Sequence, residues 1–410
     1  MPQPTRRAFQ DRHPVRDCIG GLLFAIACTP AWADPTLHEA LDRAWERAAQ
    51  VHVAAARHTE AEASRAVADS WFPESPSIGL AEKSDRFNQN LGDREREIEL
   101  ALPLWLPGQR DARQAFAAKD AADAEAALGA ARLAVAGELR AAIRDLAVAR
   151  AELEIAAERL ATAGKLETDV ARREKAGDLA RTDLLLTREE TLAAQSALAE
   201  ARTRERQAFE RYRFLTGLDH LPVDSAEKVI PPEATRHPRL RMAETAVERA
   251  RAEMQVAREE RRDPPELSLG VQQARSDFAA PNANTVRIGI RIPFATAARN
   301  APKIAAANSA LIRAEAGLRQ VAAELEAGQR EAQAALENAE AVHQAAQARA
   351  GLAAERRALQ EKAFTLGELG LAEFMRVRAA ASEARLEFLR ATHALAAARA
   401  RINQARGILP

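Results

Sequence analysis

The sequence predicts a mainly α-helical fold with a transmembrane β portion, built from a unit that occurs twice. Three observations support this fold class. Landmarks of the first half recur about 190 residues later, two long stretches hold helix-forming residues without proline, and four short segments alternate apolar with polar residues. Solenoid repeats have periods of ~20 to 50 residues, so two copies of this length indicate one duplicated, pseudo-symmetric unit.

The duplication is clearest where each copy carries a glycine followed by an acidic residue. Gly177 precedes Asp183 by six residues, and Gly367 precedes Glu373 by the same interval. A proline-rich segment separates the two copies. The predicted organisation is a first repeat, a linker and a second repeat, which cover residues 34–217, 218–237 and 238–410.

Two proline-free stretches, Gly108 to Leu221 and Lys303 to Leu409, are predicted to be long helices. Both are rich in Ala, Leu, Glu, Arg and Gln, the strongest helix formers. A continuous helix from Gln109 to Lys175 would be ~100 Å long at ~1.5 Å per residue. Each stretch should fold as a hairpin with its tip near Gly177 or Gly367. From these segments alone, an ordinary long coiled coil remains an alternative.

The four alternating segments are predicted to be β-strands with one apolar and one polar face. In the second of them Ile98, Leu100 and Leu102 point one way, while Glu97 and Glu99 point the other, because side chains alternate along a strand. The segments are Ser77–Phe87, Arg94–Leu104, Glu266–Phe278 and Thr285–Phe294.

The apolar sheet face needs a protein core or lipid, and the chain has no separate block of sequence to provide that core. In a transmembrane barrel the apolar face meets lipid and the polar face lines a water-filled lumen. Four strands cannot close such a barrel, and open edges are not tolerated in lipid, so several chains are expected to contribute. Candidates for the aromatic residues expected at both interfaces are Trp71, Phe72, Phe87, Trp105, Phe278 and Phe294.

Residues 1–33 are predicted to be a cleavable signal peptide, with cleavage after Ala33. Four arginines precede an apolar core from Ile19 to Ala27, which is shorter than the ~20 residues that span a bilayer. Twin-arginine export and lipidation of Cys28 remain open alternatives. The only cysteines, Cys18 and Cys28, lie in this segment, so the mature chain is predicted to have no disulfide, thiolate metal site or cysteine nucleophile.

The mature chain offers no pattern typical of an enzyme, a metalloprotein or a nucleic-acid-binding protein. Removal of the signal peptide turns the balance of 59 basic and 59 acidic residues into a net charge near −2, which gives no electrostatic reason to bind nucleic acid. No phosphate loop and no Gly-x-Ser-x-Gly occurs, and the eight histidines lack metal-site spacing. We therefore expect no catalytic residue, no cofactor and no bound metal.

The two copies, their strand-to-helix junctions and their tips closely resemble the TolC family of outer-membrane efflux channels. The resemblance runs from Thr36 to Gly407, and its most specific parts are the junctions Pro103–Arg110 and Pro293–Asn300 together with the two tips. The first junction and the segment Asp263–Gly270 are most similar to the heavy-metal branch, typified by the cobalt-zinc-cadmium efflux channel.

This resemblance implies a homotrimer in which three chains give four strands each to a twelve-stranded outer-membrane barrel, continued through the periplasm by a helical tunnel. The linker would belong to an equatorial collar around that tunnel. The channel would conduct passively: a periplasmic adaptor protein would dock on the tips, and an inner-membrane pump of the resistance-nodulation-division type would do the work.

The resemblance also implies a gate at the tips, with Gly177, Arg181, Asp183, Gly367, Glu373 and Arg376 as its candidate residues. In the family, acidic residues of the second tip form rings that face the lumen. Glu373 takes the first such position, whereas Arg376 stands at the second and departs from the acidic pattern. Their spacing also allows an intrahelical ion pair. Arg181 and Asp183 are expected to make hairpin contacts that hold the gate shut.

Heavy-metal cations are the cargo that the branch resemblance implies, with a drug-efflux or type I secretion channel as the alternative. A secreted periplasmic coiled-coil interaction protein is the alternative of another class. It would explain the helices but would leave the alternating strands at repeated positions without a role. A periplasmic enzyme agrees with the signal peptide but lacks any nucleophile, metal or phosphate constellation.

Overall fold

The computed structural model describes residues 35–223, 225–231, 236–294 and 296–410. The predicted signal peptide, its cleavage point and both cysteines lie outside these residues. Within them, two helices, two strands and a long helical hairpin are followed by one helix, two strands and a second long hairpin. The elements are α1 (Leu37–Arg47), α2 (Ala49–Asp69), β1 (Ser77–Ser84), β2 (Arg94–Pro103), α3 (Gln109–Ala176), α4 (Arg181–Thr216), α5 (Pro238–Glu259), β3 (Glu266–Arg275), β4 (Ala283–Arg291), α6 (Ala297–Thr365) and α7 (Leu371–Ala405).

All four predicted strands are present, but the predicted ends at Phe87, Phe278 and Phe294 were wrong, because the strands stop three residues earlier, at Ser84, Arg275 and Arg291. β1 stops at Ser84 because the next residue, Asp85, turns the chain: its carboxylate accepts hydrogen bonds from the backbone N–H groups of Leu91 and Gly92 at 2.5 and 3.1 Å. The β3–β4 loop has a similar device, since the Asp277 carboxylate accepts from two backbone N–H groups at 2.8 and 2.9 Å. Phe87 and Phe278 therefore lie in these loops.

The strands form one antiparallel sheet in the order β1-β2-β3-β4, so the two repeats meet at its centre. There Leu100 lies opposite Leu269, and Glu99 lies opposite Gly270. Residues directly opposite each other share a face. One side, which we call the apolar face, therefore carries Ile78, Leu80, Ile98, Leu100, Leu102, Leu267, Leu269, Val271, Val286, Ile288 and Ile290.

The helical body extends from the sheet as two hairpins. α3 and α6 have 68 and 69 residues, which makes each ~100 Å long at ~1.5 Å per residue. α4 packs back on α3 and α7 on α6, while α3 also contacts α2, α5 and α7. Contacts between the repeats therefore continue along the helices. Among the described helices, none has the length and apolar content needed to cross a membrane.

The strand-to-helix junction of the first repeat is joined to the second repeat by Gln109, the first residue of α3. This side chain is 2% exposed, and its Nε2 donates to the backbone oxygens of Glu259 and Arg262 at 3.4 and 3.1 Å. Glu259 is the last residue of α5, and Arg262 lies in the segment between α5 and β3. A buried polar group requires hydrogen-bond partners. The Gln109 amide therefore holds the start of α3 in the first repeat against the segment that leads into β3 in the second.

The largest apolar core lies midway along the body, where α1 packs between α3 and α4. Leu41, Leu139, Leu146 and Tyr212 are fully buried in it. Burial raises the pKa of the Tyr212 phenol, and its hydroxyl donates to the backbone oxygen of His220 at 2.9 Å. The hydrogen bond holds the beginning of the predicted linker against this core.

The described part of the linker is also tied to both repeats by buried polar groups. Arg140 of α3 donates to both carboxylate oxygens of Glu227 at 2.6 and 2.7 Å. Asn403 of α7 is fully buried, and its side-chain oxygen accepts from the Ile230 N–H at 3.0 Å. A bidentate pair of this kind fixes direction as well as distance, so the linker crosses the middle of the body along a defined path.

Candidate gate at the hairpin tips

Both hairpins close through equivalent turns, which supports the repeated glycine as a structural landmark. Gly177 and Gly367 follow the ends of α3 and α6, with φ values of 88° and 79°. This left-handed region favours glycine because a Cβ atom would crowd the backbone there. In both turns the next residue donates its N–H to the carbonyl oxygen five residues back at 2.9 Å, the closure of a Schellman motif.

The two candidate acidic residues occupy the same position but differ in their contacts. Asp183 and Glu373 are each the third residue of their helices, α4 and α7. Asp183 Oδ2 accepts from the backbone N–H of Ala180 at 3.3 Å, whereas α7 has no side-chain cap. Within the described residues neither Glu373, Arg376 nor Arg181 belongs to an ion pair. The intrahelical pair that the spacing allowed is therefore not formed.

The tips of the two hairpins pack against each other through an apolar cluster that was not identified from the sequence. The rings of Phe364 and Phe374 stack with their centroids 4.8 Å apart and their planes 6° from parallel. The guanidinium of Arg173, on the neighbouring hairpin, lies 5.4 Å from the Phe364 centroid, within cation–π range. The buried members of this tip cluster are Leu166, Val170, Leu184, Phe364, Leu371 and Phe374.

The sequence does carry a signal for this tip cluster: large apolar residues lie around both tip glycines. Phe364 and Phe374 flank Gly367, and Leu179 and Leu369 follow the two tip glycines at the same distance. Both leucines are partly buried and pack on the cluster. The signal was not recognised because the cluster joins residues about 200 positions apart, and no local pattern reports such a contact.

A basic cleft lies between the hairpins just above the tip cluster. It has a volume of about 370 Å³ and is lined by residues of α3, α6 and α7, among them Arg159, Arg357 and Arg378. Burial, together with the nearby cations Arg357 and Arg159, lowers the pKa of Arg378 against the opposing effect of Glu190 and Glu361. Arg159 itself pairs with Glu190 at 2.9 Å. The cleft thus holds a half-buried cation without a direct ion pair among the described residues.

Farther from the tips, ion pairs connect the two hairpins. Glu152 of α3 accepts from Arg204 of α4 at 3.3 Å and from Arg390 of α7 at 2.6 Å. Only 13% of the Glu152 side chain is exposed, so this bridge is less screened than a surface pair. Arg385 of α7 also pairs with Glu158 of α3. Separation of the hairpins would therefore have to break charge pairs as well as the tip cluster.

At the opposite end of the molecule, the second face of the sheet is charged. Arg291 of β4 pairs with Glu266 of the neighbouring β3 at 3.1 Å, and Arg287 of β4 reaches across β3 to pair with Glu97 of β2 at 2.7 Å. Glu99 lies opposite glycines on both sides, Gly79 and Gly270 in the register, and makes no ion pair among the described residues. We call this side the charged face; its ionisable members are Lys83, Glu95, Glu97, Glu99, Glu266, Arg287 and Arg291.

The apolar face is uncovered in the isolated chain. Ile78 is 72% exposed, Leu80 76% and Ile288 72%, values far above those of a protein core. A contiguous apolar patch of this kind marks a surface that meets lipid or another protein.

Aromatic side chains lie exposed beyond both ends of the apolar face. Phe87 and Phe278 are 97% and 64% exposed in the loops, and Trp71 and Phe294 are 87% and 91% exposed at the helix end. Of the six aromatic candidates, Trp105 is instead half-buried and donates its indole N–H to the Ser70 carbonyl oxygen at 3.2 Å. Phe72, the sixth, is half-buried as well.

The described residues contain no group of three or more His, Cys, Asp and Glu side chains placed to hold a metal ion.

Comparison with solved structures decides the fold. CusC, solved in a study of folding and transmembrane channel formation, matches with a TM-score of 0.74 and 17% identity over 92% of this chain and 93% of CusC. The MtrE outer membrane channel of Neisseria gonorrhoeae in its open state matches with a TM-score of 0.73 and 17% identity, over 92% and 90% of the two chains. The chain has the TolC-like fold of these channels.

A third TolC-like structure, the CmeC outer membrane channel of Campylobacter jejuni, matches with a TM-score of 0.71 and 15% identity over 91% of this chain and 86% of CmeC. No protein-family model and no curated protein matches the sequence. The predicted fold class, mainly α with four strands per chain in a TolC-like unit, is confirmed. Identities below 20% show the fold alone, and function follows as a proposal.

Proposed function

We propose that the chain is the protomer of a homotrimeric outer-membrane channel that passively conducts solutes out of the periplasm. One observation carries the proposal: a sheet with an uncovered apolar face and a charged face stands at the end of a ~100 Å helical body. Lipid would cover the apolar face and water would fill the lumen along the charged face. A helical body of this length suits a tunnel across the periplasm.

The edges of the sheet support a trimer. β1 and β4 each pair with one neighbour among the described strands, so each has an edge with unpaired backbone groups. Unpaired backbone groups are costly in lipid. If β4 of one protomer pairs with β1 of the next, three copies close a twelve-stranded barrel and leave no edge. Two copies would give eight strands, whose interior is filled by side chains.

The gate is proposed at the tips, where Gly177, Arg181, Asp183, Gly367, Glu373 and Arg376 were predicted. Glu373 and Arg376 have no ion-pair partner within the described protomer, so they are available to a neighbouring protomer or to a docking protein. We propose that a periplasmic adaptor binds here and that an inner-membrane pump of the resistance-nodulation-division type drives transport. Contact with the adaptor would separate the tips and open the tunnel.

Heavy-metal cations are the proposed cargo. The resemblance of residues 103–110 and 263–270 to the heavy-metal branch supports this choice, and the unpaired Glu99 of the charged face would attract cations in each protomer. Deletion of the gene should lower the concentrations of zinc, cobalt or copper that permit growth. Sensitivity to antibiotics without metal sensitivity would instead support the drug-efflux alternative, and loss of a secreted polypeptide would support type I secretion.

The channel itself is tested by conductance. The purified protein, added to a planar lipid bilayer, should produce discrete conductance steps, and it should fractionate with the outer membrane. Recovery in the soluble periplasm without conductance would contradict the proposal and would favour a coiled-coil interaction protein.

The gate is tested in the same bilayer with the double variant Asp183→Ala, Glu373→Ala. Its single-channel conductance should rise, because charges that constrict the tips are removed. The matched control is Glu368→Ala, which removes an exposed carboxylate from the second tip outside the predicted set. Equal conductance of the double variant and the wild type would remove the gate assignment and leave the channel assignment intact.

A further inference from the structure

We propose that the loop end of the apolar face binds the phosphate groups of anionic lipid in the outer leaflet. This inference rests on the proposed membrane channel and deepens it. The site consists of Arg94, Arg96 and Arg275, which we call the arginine belt, with Glu82 among them.

The register of the sheet places the arginine belt on the lipid-facing side. Arg96 lies opposite Glu82, and Arg94 lies opposite Arg275. Arg94 and Arg96 lie four and two residues before Ile98 on β2, so all three share the apolar face. The belt therefore does not line the lumen, which receives the alternate residues of the same strands.

The belt carries more positive charge than the protein neutralises. Glu82 Oε1 accepts from Arg94 Nε at 2.6 Å and from Arg96 Nε at 3.4 Å. Arg275 Nε donates to the backbone oxygen of Gly92 at 3.1 Å, and its guanidinium lies 5.4 Å from the Phe278 ring centroid. This face of the sheet thus carries three guanidinium groups and one carboxylate, and only Arg94 and Arg96 contact that carboxylate.

The direct opposition of Arg94 and Arg275 is an unfavourable arrangement by itself, since like charges opposite each other destabilise a strand pair. An anion bound between the two guanidinium groups would attract both of them and so offset their mutual repulsion. The side chains of Arg94 and Arg96 are 41% and 52% exposed, so their remaining N–H donors are accessible. Phosphate oxygens match such planar, paired donors closely.

Apart from Asp93, which lines the same cavity as Arg94 and Arg275, the acidic groups near the belt make other contacts. The Asp85 and Asp277 carboxylates accept backbone N–H bonds that shape their own loops. Glu95 is on the charged face, where it lies 3.9 Å from Lys83. They lessen the local positive potential but do not occupy the belt's outward donors.

The position of the belt selects a lipid as the bound anion. Arg96 is two residues beyond Ile98, ~7 Å along the strand at ~3.3 Å per residue, so the belt borders the apolar band where headgroups begin. Exposed Phe87 and Phe278 lie in the adjoining loops, as expected for an interfacial aromatic girdle. The acyl chains of a lipid would contact this neighbouring apolar surface, whereas a soluble anion has no apolar part to do so.

The belt is also confined to one end of the sheet. At the helix end, the apolar face continues through Leu102, Leu267 and Ile290 without a charged residue, because Glu266 and Arg291 point to the other side. With the helices in the periplasm, the loop end meets the outer leaflet. We therefore expect the site to select phosphorylated lipids of that leaflet, such as lipid A.

The test measures binding of lipid A to the purified full-length protein in detergent, with native mass spectrometry as the readout. The variant Arg96→Gln, Arg275→Gln leaves the Arg94–Glu82 contact in place and should weaken binding roughly tenfold. The matched control, Lys83→Gln with Arg287→Gln, removes the same charge from the other face of the same sheet and should bind as the wild type does.

Two further probes show which part of lipid A is recognised. Dephosphorylated lipid A tests the contribution of the phosphate groups, and inorganic phosphate tests whether a free anion binds at the same place. Wild-type protein should bind lipid A more tightly than its dephosphorylated form, and inorganic phosphate should not displace it. Equal binding of both lipids, equal binding by the belt variant, or displacement by inorganic phosphate would each overturn the lipid site.

Conductance measurements test the proposed channel function independently of lipid binding. The belt variant should still form conducting channels in a phosphatidylcholine bilayer, because the belt does not face the lumen. Channels that conduct but show no phosphate-dependent lipid binding would remove the lipid site alone. A wild-type protein that forms no channel would overturn both proposals.

Discussion

The two hairpin tips have the same turn but use their acidic residues differently. In the first tip, Asp183 accepts from the Ala180 N–H and completes the start of α4. In the second, Glu373 occupies the equivalent position without a capping bond, and the stacked Phe364 and Phe374 hold the tip instead. The comparison teaches that the same position of a duplicated unit can cap a helix in one copy and make no capping contact in the other.

The largest effect is expected from Phe374→Ala, which removes a ring that is 3% exposed. Large-to-small substitutions of buried phenylalanine cost about 3 to 5 kcal/mol, and here the loss falls on the contact between the hairpins. The midpoint of thermal unfolding should fall and single-channel conductance should rise.

The control for this variant is Leu366→Ala, at the same tip but 74% exposed. It should change neither property. If both variants behave alike, the tip cluster does not hold the hairpins together and the contrast between the tips loses its main structural basis.

A smaller effect is expected from Arg173→Gln, which removes the guanidinium beside Phe364 and its ion pair with Asp169 at 3.0 Å but keeps a long polar side chain; the control at Arg172 loses a pair with the same carboxylate. The cation–π contact contributes about 0.5 to 1 kcal/mol at an exposed site, so the tips should separate slightly more often. Hydrogen exchange in the last turn of α6 would report this opening. The neighbouring Arg172 is 78% exposed, and Arg172→Gln should leave the exchange rates unchanged; equal acceleration by both variants would contradict the contact.

The smallest and most specific effect concerns the two acids themselves. Asp183→Ala should destabilise the first turn of α4 by about 0.5 to 1 kcal/mol, since it removes a capping bond and a favourable charge at a helix N-terminus. Glu373→Ala removes only the charge and should cost less in α7. Hydrogen exchange at the two helix starts measures the difference, and equal acceleration at both would show that the tips are equivalent after all.

Much of the fold was predictable because it is encoded in local patterns. The alternation around Ile98 determined the sheet faces, and the glycine repeated within each proline-free stretch located the turns at Gly177 and Gly367. The strand ends at Phe87 and Phe278 were misplaced because the aspartate side chains that turn the loops leave no trace in the hydrophobic pattern.

The contacts of the gate were less predictable. The spacing of Glu373 and Arg376 allowed an ion pair that the structure does not form, since spacing permits a contact without determining side-chain direction. The tip cluster and the basic cleft around Arg378 join helices from both repeats, and one sequence contains no information that pairs those residues. The candidate gate residues themselves stay predictions, because a single protomer does not include the neighbours they would meet.

The central claim, that one face of the sheet meets lipid and the other meets water, can be tested at two adjacent residues of β4. In the isolated protomer the exposed fraction is 72% for Ile288 and 55% for the Arg287 side chain, so exposure alone predicts similar access. Each is replaced by cysteine and treated with a membrane-impermeant maleimide in outer-membrane vesicles. We predict rapid labelling of Arg287→Cys and little labelling of Ile288→Cys. Equal labelling at both positions would contradict the account.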